Sequence, residues 1–414
     1  MNIVVSTGSF KDIYSPIELC EIIKNSLESF HINKLTIKTL PMADGGEYSN
    51  DVLSNNMNHK KIFVDNVIDP SGETTKSYYI KLDNTSAFIG SSEIIGLPPE
   101  KEKLKNPLKL TSYGLGQLII DAINKKFKNI YVGLGGTSTV DGGIGILQAF
   151  NVNFFDKLGK KLEPIGGGYF SGQDLINISQ ISSGISGLNL EKINLIPLCD
   201  AKINLEQMSI PNNQKISTNN QKERDFILSS LQNGVFSYAK VVEKNMQKKT
   251  KGIELNIFKK EFVGCAGGML LGLHSLFDIK PVSGFEYFRK KFHLDNSINK
   301  ANLVITGEGK FDNISLDGKT PVGISRIAKQ HNKRVLYICG DIALPIKKSF
   351  NGFNCSNLPS IFIENGIDSI ISLHHYYDQI KLPNNYVDRV EIYRNKNPEQ
   401  LTEALRLFFN SYDD

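Results

Sequence analysis

Short apolar strands alternate with amphipathic helices along this chain, a pattern typical of a parallel sheet. Residues 3–6 are predicted to form a strand. A helix is predicted to begin at Ser15, where Ser-Pro-Ile-Glu combines a capping box with proline at the first helical position. Residues 34–40 form the next predicted strand. The order strand, helix, strand predicts an α/β fold with a doubly wound sheet.

The same alternation returns twice. Apolar residues at helical spacing predict a helix over 111–126, followed by a strand over 129–134. Residues 303–306 and 335–339 are predicted strands, separated by a helix that Thr320 and the following proline cap. The repeated pattern places ligands at the carboxyl ends of the strands.

The middle of the chain is less regular. Residues 206–222 are mostly polar and predict a loop, and residues 224–246 predict a long helix. The buried face of that helix is predicted to consist of Ile227, Leu231, Val235, Tyr238 and Val242.

Composition excludes several classes of protein. The 414 residues suffice for two domains, and 40% hydrophobic with 22% charged residues is ordinary for a globular protein. The five cysteines lack zinc or redox spacing, and no signal peptide or membrane span is predicted, so we expect a cytoplasmic protein. The net charge of +5 comes with only short basic runs, which favours anionic small molecules over nucleic acid.

Glycines, hydroxyls, lysines and carboxylates cluster directly after the predicted strands. Because the carboxyl ends of parallel strands meet at one edge of a sheet, clusters at successive strand ends predict a site for an anionic small molecule. The clusters are Ser9-Phe10-Lys11; 41–47, with Asp44, Gly45 and Gly46; 133–143, with Gly135, Gly136, Thr137, Ser138 and Asp141; Cys199-Asp200; and 307–312, with Glu308 and Asp312, followed by Gly318-Lys319.

This combination of residue types favours phosphoryl transfer. Glycines let backbone N–H groups approach an anion closely, and hydroxyls add further donors. Carboxylates repel phosphate, so they are useful there when Mg²⁺ lies between or when one accepts a proton from a substrate hydroxyl. Lysines neutralise the charge that develops on the transferred group.

Known nucleotide motifs do not fit. A Walker A loop that ends at 318–320 would need glycine where Asn313 stands, and the dinucleotide fingerprint fails at Ser138. The protein-kinase motifs and a Gly-x-Ser-x-Gly elbow are missing from the sequence, and the pair at 374–375 lacks metal-ligand spacing. Each cluster taken alone is more often a tight turn, so the prediction depends on their number and order.

At these clusters the sequence resembles the bacterial glycerate kinase family, which makes 2-phosphoglycerate from glycerate and ATP. Residues 41–47 resemble the family's Pro-x-Ala-Asp-Gly-Gly-Glu. Residues 133–145 resemble its Gly-x-Gly-Gly-x-x-x-x-Asp-Gly-Gly-x-Gly, and residues 306–323 match its last specific stretch. The resemblance covers nearly the whole chain.

The resemblance implies two α/β domains. One is a flavodoxin-like domain formed by residues 1–70 and 285–414, and the other is a restriction-endonuclease-like domain over 71–284 inserted into it. It also implies the cofactors ATP and Mg²⁺ and the substrate glycerate, with no nucleic acid and no membrane as partners. The oligomeric state stays open, with a homodimer as one option.

Carried over residue by residue, the resemblance implies roles for the clustered residues. Lys11 belongs with the catalytic group, and Asp44 or Asp200 is the predicted proton acceptor. Mg²⁺ is expected on Asp141, Glu308 or Asp312. The residues expected to bind substrate or phosphate are Ser9, Gly45, Gly46, Gly135, Gly136, Thr137, Ser138 and Lys319.

The chain departs from the family at several positions. Gly8 and Gly90 stand where the family has acids, Val140 replaces its Asn and Ile314 its Gln. Residues 202–221 replace its Asn-Pro-Leu and Phe-Gly-Pro-Gln-Lys-Gly runs. Two alternatives to glycerate phosphorylation therefore remain: a degenerate member that binds a small hydroxy acid without turnover, and a kinase for a related hydroxy acid.

Overall fold

The computed structural model describes residues 1–96, 106–182, 189–208, 216, 218, 220–249, 256–316, 318–343, 353–354, 358–374 and 386–410. These residues form two compact units. The first unit consists of Met1–Asp44 and Phe285–Asp414, and the second of Gly45–Gly284. The predicted mixed α/β fold class is confirmed.

The secondary structure follows in chain order. The strands are β1 (Asn2–Val5), β2 (Thr36–Thr39), β3 (Lys60–Ile68), β4 (Thr74–Lys81), β5 (Ser86–Gly90), β6 (Asn129–Leu134), β7 (Phe154–Phe155), β8 (Gln180–Ile181), β9 (Asn194–Cys199), β10 (Val282–Ser283), β11 (Leu303–Phe311), β12 (Arg334–Ile342), β13 (Phe353–Asn354) and β14 (Ser369–Ser372). The helices are α1 (Pro16–Glu28), α2 (Ser49–Met57), α3 (Ser92–Ile95), α4 (Tyr113–Asn124), α5 (Ile144–Ala149), α6 (Gln221–Lys249), α7 (Leu270–Leu276), α8 (Gly284–Lys291), α9 (Leu294–Asn299), α10 (Asn313–Leu316), α11 (Thr320–Gln330), α12 (Ser360–Glu364) and α13 (Tyr386–Asn410).

The first unit is built on a six-stranded sheet in the order β13-β14-β12-β11-β1-β2. Its five longer strands are parallel, and β13 pairs antiparallel to β14. Counted along the chain, the parallel strands have the order 2-1-3-4-5, which is the flavodoxin-like order. In such a sheet the chain crosses from one side of its first strand to the other, and a ligand crevice opens at the carboxyl ends of β1 and β11.

Both faces of this sheet are covered, as alternation along β12 shows. Leu336 and Ile338 belong to the core formed with α1 and α13, whereas Tyr337 and Cys339 belong to the core formed with α11 and α12. Successive side chains of a strand point to opposite faces, so a strand buried on both sides is apolar along its buried stretch, here 335–339.

Helix α1 begins as the sequence predicts. The Ser15 hydroxyl accepts a hydrogen bond from Glu18 N, the Glu18 carboxylate accepts one from Ser15 N, and Pro16 opens the helix. The start of α11 differs from the prediction. Lys319 is its N-cap residue, and Thr320 is its first helical residue, so Thr320 does not cap it.

The second unit has a mixed sheet in the order β10-β9-β6-β5-β4-β3. Strands β10, β9, β6 and β5 are parallel, and β4 and β3 add an antiparallel edge. Strand β3 belongs to this unit because it pairs with β4 along its length. The family-derived domain boundaries at 70 and 285, and the restriction-endonuclease-like assignment, stay predictions.

The core of the second unit includes the predicted face of the long helix. Its five apolar residues are at most 3% exposed and pack in the same core as α4 and β6. The helix α6 begins at Gln221, so the last two residues of the predicted loop, 206–222, are helical. Within that loop, 209–215, 217 and 219 lie outside the described residues. Among the described residues, no helix is both long and apolar enough to cross a membrane.

This core generates a stability prediction. Leu118 is fully buried on α4, whereas Leu158 in the same unit is 92% exposed. We expect Leu118→Ala to lower the free energy of unfolding by about 2–5 kcal/mol, because it removes buried methyl groups and leaves a cavity. The matched control, Leu158→Ala, should change it by less than about 0.5 kcal/mol. Chemical denaturation measures both, and equal effects would contradict the assignment of the core.

Candidate functional site

The carboxyl ends of β1 and β11 are tied together in the first unit. Gly8 N donates a hydrogen bond to Gly307 O (3.0 Å), and Gly309 N donates to Ser9 O (3.3 Å). These main-chain bonds extend the pairing of the two strands beyond Val5. The predicted residue Ser9 therefore lies beside the strand that carries Glu308, at the crevice expected from the strand order.

Glu308 is the most deeply placed carboxylate of this edge. It is 6% exposed, and the Tyr337 hydroxyl donates a hydrogen bond to its Oε1 (2.6 Å). Burial raises the pKa of Glu308, while the Lys319 charge and the Tyr337 hydroxyl lower it in part. One oxygen is thus held by the neighbouring strand, and the other, Oε2, faces Lys319.

Lys319 stands between two carboxylates. Its Nζ lies 3.9 Å from Glu308 Oε2 and 3.9 Å from Asp312 Oδ1, and its side chain is 37% exposed. Asp312 is oriented by Ser315, whose backbone N–H (3.1 Å) and hydroxyl (3.3 Å) both donate to Asp312 Oδ1. The three predicted residues therefore form one cluster in which two carboxylates face a single cationic position.

Asp44 lies at the beginning of α11. The Thr320 hydroxyl does not cap α11 and instead donates to Asp44 Oδ2 (3.3 Å). The carboxylate is half-buried and follows β2 by five residues. Lys11 is exposed, and its backbone N lies 3.2 Å from where a Cβ at Gly309 would stand. The first unit thus brings together six predicted residues, which are Ser9, Lys11, Asp44, Glu308, Asp312 and Lys319.

The loop after Asp44 continues into the second unit, where it lies against the ends of β6 and β9. A Cβ at Gly45, whose φ is +94°, would lie 2.5 Å from Leu198 O, and a Cβ at Gly133 would lie 2.6 Å from Gly45 O. Real Cβ atoms do not come so close to backbone atoms, so this packing requires glycine at both positions. Gly46 and Gly136 belong to the same contact region.

Asp200 follows β9 and lies against Gly135. A Cβ at Gly135 would be 2.5 Å from Asp200 Oδ2, so glycine leaves the room that this oxygen occupies. The Cys265 thiol donates to the other oxygen, Asp200 Oδ1 (3.2 Å). Asp200 is partly exposed, unlike the fully buried Asp141.

The hydroxyl loop, which consists of residues 137–139 after β6, is hydrogen-bonded to α3. Ser138 N and the Ser138 hydroxyl both donate to Ile95 O (2.8 and 3.0 Å). Thr137 pairs with Gly96 in an isolated bridge, and its Oγ1 is buried without a hydrogen-bond partner among the described residues. The predicted role of Thr137 and Ser138 as phosphate donors stays a prediction.

Asp141 is surrounded by donors. Its Oδ2 accepts hydrogen bonds from Ser112 N (2.8 Å), the Ser112 hydroxyl (2.7 Å) and Gly145 N (3.3 Å), and its Oδ1 accepts one from Gly143 N (3.1 Å). Burial raises the pKa of Asp141, and these donors act against the rise. The geometry joins the start of α4 to the start of α5, while metal binding by Asp141 stays a prediction.

Magnesium binding by Glu308 and Asp312 stays a prediction. No group of three or more His, Cys, Asp or Glu side chains able to hold a metal ion occurs in the described part of the chain. Glu308 and Asp312 nevertheless place two carboxylate oxygens within 3.9 Å of one ammonium group. Mg²⁺ in kinases commonly binds one or two carboxylates together with substrate phosphates, so this pair fits the ion.

The structure shows which atoms surround Gly8 and Gly90, two positions at which the chain departs from the family. A Cβ at Gly8 would lie 3.2 Å from Pro321 Cγ, so a larger side chain there would require the proline ring to shift. Gly90 N donates to Asn50 Oδ1 (3.2 Å), and a Cβ at Gly90 would lie 2.9 Å from that oxygen. Asn50 therefore occupies the space into which a side chain at Gly90 would extend.

Sequence reasoning missed several residues of these clusters. Tyr337, Ser112 and Cys265 hold Glu308, Asp141 and Asp200, yet each is separated from its partner by at least 29 residues. A tyrosine within the apolar run 335–339 is the sequence signal for Tyr337, because a buried hydroxyl needs a partner.

Comparison with known proteins identifies the class. A sequence profile matches residues 3–362, and curated relatives of similar length match about nine-tenths of the chain. They define a phosphotransferase that acts on an alcohol group. The profile is that of the Glycerate kinase family. The chain belongs to the glycerate kinase family.

Individual relatives support this membership. The chain is 31% identical over 384 residues to a "Glycerate kinase" of Haemophilus influenzae, covering 91% of this chain and 92% of the relative. It is 28% identical over 347 residues to the "Glycerate 2-kinase" of Escherichia coli K12, covering 83% and 86%. A crystal structure assigned to glycerate kinase 2 of Salmonella typhimurium LT2 superposes with a TM-score of 0.67, covering 100% of this chain and 99% of that chain. At 24% identity, that likeness supports the fold alone.

Helix α3, to which the hydroxyl loop is hydrogen-bonded, carries a carboxyl group that makes stability depend on pH. Glu93 lies on α3, two residues before Ile95. Burial, followed by the nearby Asp51 charge, raises the pKa of Glu93 to about 7. Asp51 is itself held by the Tyr78 hydroxyl (3.1 Å) and by Lys61 (3.1 Å). A carboxyl with a raised folded-state pKa stabilises the fold only while it is protonated.

We therefore expect the contribution of Glu93 to the free energy of unfolding to fall as pH rises from about 4.5 to about 7, since the folded state binds this proton more tightly than the unfolded state. Glu93→Gln should remove that fall, and at pH 8 it should be more stable than the wild type by roughly 1–3 kcal/mol. Urea unfolding at pH 4.5 and pH 8 measures both. A variant no more stable than the wild type at pH 8 would contradict the assignment.

Proposed function

We propose that this protein transfers the γ-phosphoryl group of ATP to a hydroxyl of D-glycerate, with 2-phosphoglycerate and ADP as products. Family membership supports phosphoryl transfer to an alcohol group, and the name of the E. coli relative supports the 2-position. The observation that carries the proposal is the cluster at the end of β11, where Lys319 stands between Glu308 and Asp312.

Lys319 is suited to the transferred phosphoryl group. It directly precedes the eleven-residue helix α11, and the positive end of a helix favours a bound anion. Its ammonium is partly exposed and so accessible to a ligand. In the proposed reaction it neutralises charge that develops on the equatorial phosphoryl oxygens.

Glu308 and Asp312 would hold Mg²⁺. Both supply the hard oxygen ligands that this ion prefers, and both are oriented by neighbours, Tyr337 and Ser315 respectively. When bound, the ion neutralises charge on the β- and γ-phosphates. The remaining ligands would come from those phosphates and from water, as in other kinases with few protein ligands.

Asp200 is the proposed proton acceptor. In the reaction the substrate hydroxyl loses its proton to this carboxylate, its oxygen forms a bond to the γ-phosphorus, and the bond from that phosphorus to the β–γ bridging oxygen breaks. Asp200 suits the role better than Asp141, because a weakly donating thiol contacts it and it is partly exposed. Asp44 is the alternative acceptor in the first unit.

Backbone donors are proposed to bind the substrate carboxylate. Gly45 and Gly46, with Gly135 and Gly136, form glycine loops at the ends of β6 and β9. Close main-chain packing of this kind lets peptide N–H groups reach an anion without side chains in between.

The first test is turnover. We expect purified protein with ATP, Mg²⁺ and D-glycerate to form 2-phosphoglycerate, identified by phosphorus NMR, which separates the 2- and 3-phosphate esters. Bound D-glycerate without product would favour the degenerate member, and product formed only from another hydroxy acid in a substrate panel would favour the related kinase. Either result would overturn the proposal.

The second test addresses the position of Lys319 between Glu308 and Asp312. Lys319→Met should lower kcat by about 10²-fold or more, since it removes one charge that stabilises the transition state. The matched control is Lys310→Met, because Lys310 is an exposed lysine on β11, the strand that carries Glu308. Steady-state kinetics on both variants decide the matter. Equal loss in the two variants, or no loss at Lys319, would remove Lys319 from the proposed role.

A further inference from the structure

A tight turn in the second unit places the Cys265 thiol next to Asp200. Residues 265–268 form one turn of 3₁₀ helix, interrupted by left-handed backbone at Ala266 (φ 48°) and Gly267 (φ 69°). Gly267 O accepts a hydrogen bond from Gly142 N (3.2 Å), and Gly264 N donates to Ile203 O (3.2 Å). The turn is thus fixed on both sides, and the direction of the Cys265 side chain is fixed with it.

The thiol lies between two oxygen atoms. Cys265 Sγ is 3.0 Å from Leu134 O and 3.2 Å from Asp200 Oδ1, and the residue is 1% exposed. Leu134 ends β6, and Asp200 follows the neighbouring β9. Asp200 N also donates to Leu134 O (3.4 Å), so the thiol closes a small hydrogen-bonded ring between the two strand ends.

A thiol has one proton to donate and lone pairs that accept weakly. While Asp200 is ionised, the S–H group can donate to its Oδ1. Once Asp200 carries a proton, its O–H can donate to Sγ while the S–H group donates to Leu134 O. The Cys265 side chain is therefore a hydrogen-bond partner for both protonation states of the Asp200 carboxyl group. Leu134 O is the second acceptor, to which the S–H group can turn when Asp200 is protonated.

The thiol stays protonated in this setting. A hydrogen bond with Cys199, burial, and the neighbouring Asp200 charge all raise the pKa of Cys265 well above its usual value. A thiol of this kind is a poor nucleophile, and its contribution is that of a donor and acceptor.

We propose that Cys265 is the positioning residue for Asp200 and supports its change of protonation state during turnover. This inference rests on the proposed function, in which Asp200 receives the proton of the substrate hydroxyl. A residue that only filled space in the core would be replaceable by any side chain of similar volume, whereas a positioning residue requires a hydrogen-bonding group at this point.

The kinetic test compares two variants. Cys265→Ala, which cannot hydrogen-bond, should lower kcat about tenfold and leave KM for ATP and glycerate within about twofold, while Cys265→Ser should keep kcat within about threefold of the wild type. Cys20→Ala is the matched control, because Cys20 is an equally buried cysteine of the first unit. A full kcat in Cys265→Ala, or equal losses in the alanine and serine variants, would overturn the proposal.

A spectroscopic test needs no turnover, and its readout comes from a protein that keeps Cys265. The infrared S–H stretching band of Cys265, identified by its loss in Cys265→Ser, should shift in Asp200→Asn because a neutral amide is a weaker acceptor than a carboxylate. An unshifted band would overturn the proposal even if the wild type is an active kinase. A shifted band in a protein that does not phosphorylate glycerate would support the contact and refute the proposed function.

Discussion

Main-chain atoms come together at the carboxyl ends of β6 and β9 more closely than any side chain allows, and the site of the second unit depends on this approach. Added Cβ atoms at Gly45, Gly133 and Gly135 would lie within 2.6 Å of Leu198 O, Gly45 O and Asp200 Oδ2. Peptide N–H groups belong to the main chain, and glycine, which lacks a Cβ, leaves them most exposed to a neighbouring segment or an anion. The glycines of these loops are thus required by the packing of the main chain, whether or not the loops bind an anion.

The buried carboxylates divide into two kinds by the donors that surround them. Asp141 accepts four hydrogen bonds from the beginnings of two helices, and such a carboxylate stabilises the loop that it holds. Glu308 accepts one from a tyrosine and directs its second oxygen to a partly exposed lysine. A carboxylate with an oxygen turned toward an accessible cationic position is suited to bind magnesium, which is why the proposed chemistry is centred on Glu308.

Strand order connects the fold of the first unit to its candidate chemistry. The 2-1-3-4-5 order places β1 beside β11, although some 300 residues separate them, and the main-chain bonds of Gly8 and Gly309 continue that pairing past the strand ends. Each predicted residue of the first unit follows β1 or β2, lies in or directly after β11, or directly precedes α11. A doubly wound sheet gathers such positions at one edge because all of its long strands run the same way.

Local features of the fold could be predicted from the sequence because the interactions that specify them span only a few residues. The capping box of Ser15 and Glu18, the apolar face of α6 and the strand at 129–134 are of this kind, and the structure confirms them. The order of glycine and acid clusters likewise sufficed to identify the family. The partners of the acids could not be predicted, because Tyr337 meets Glu308 and Cys265 meets Asp200 only after distant strands and turns pack. The sequence determined which chemical groups stand at the strand ends, and the tertiary structure decided which of them are buried, paired or left accessible, since burial and hydrogen bonding depend on contacts between residues far apart in the chain.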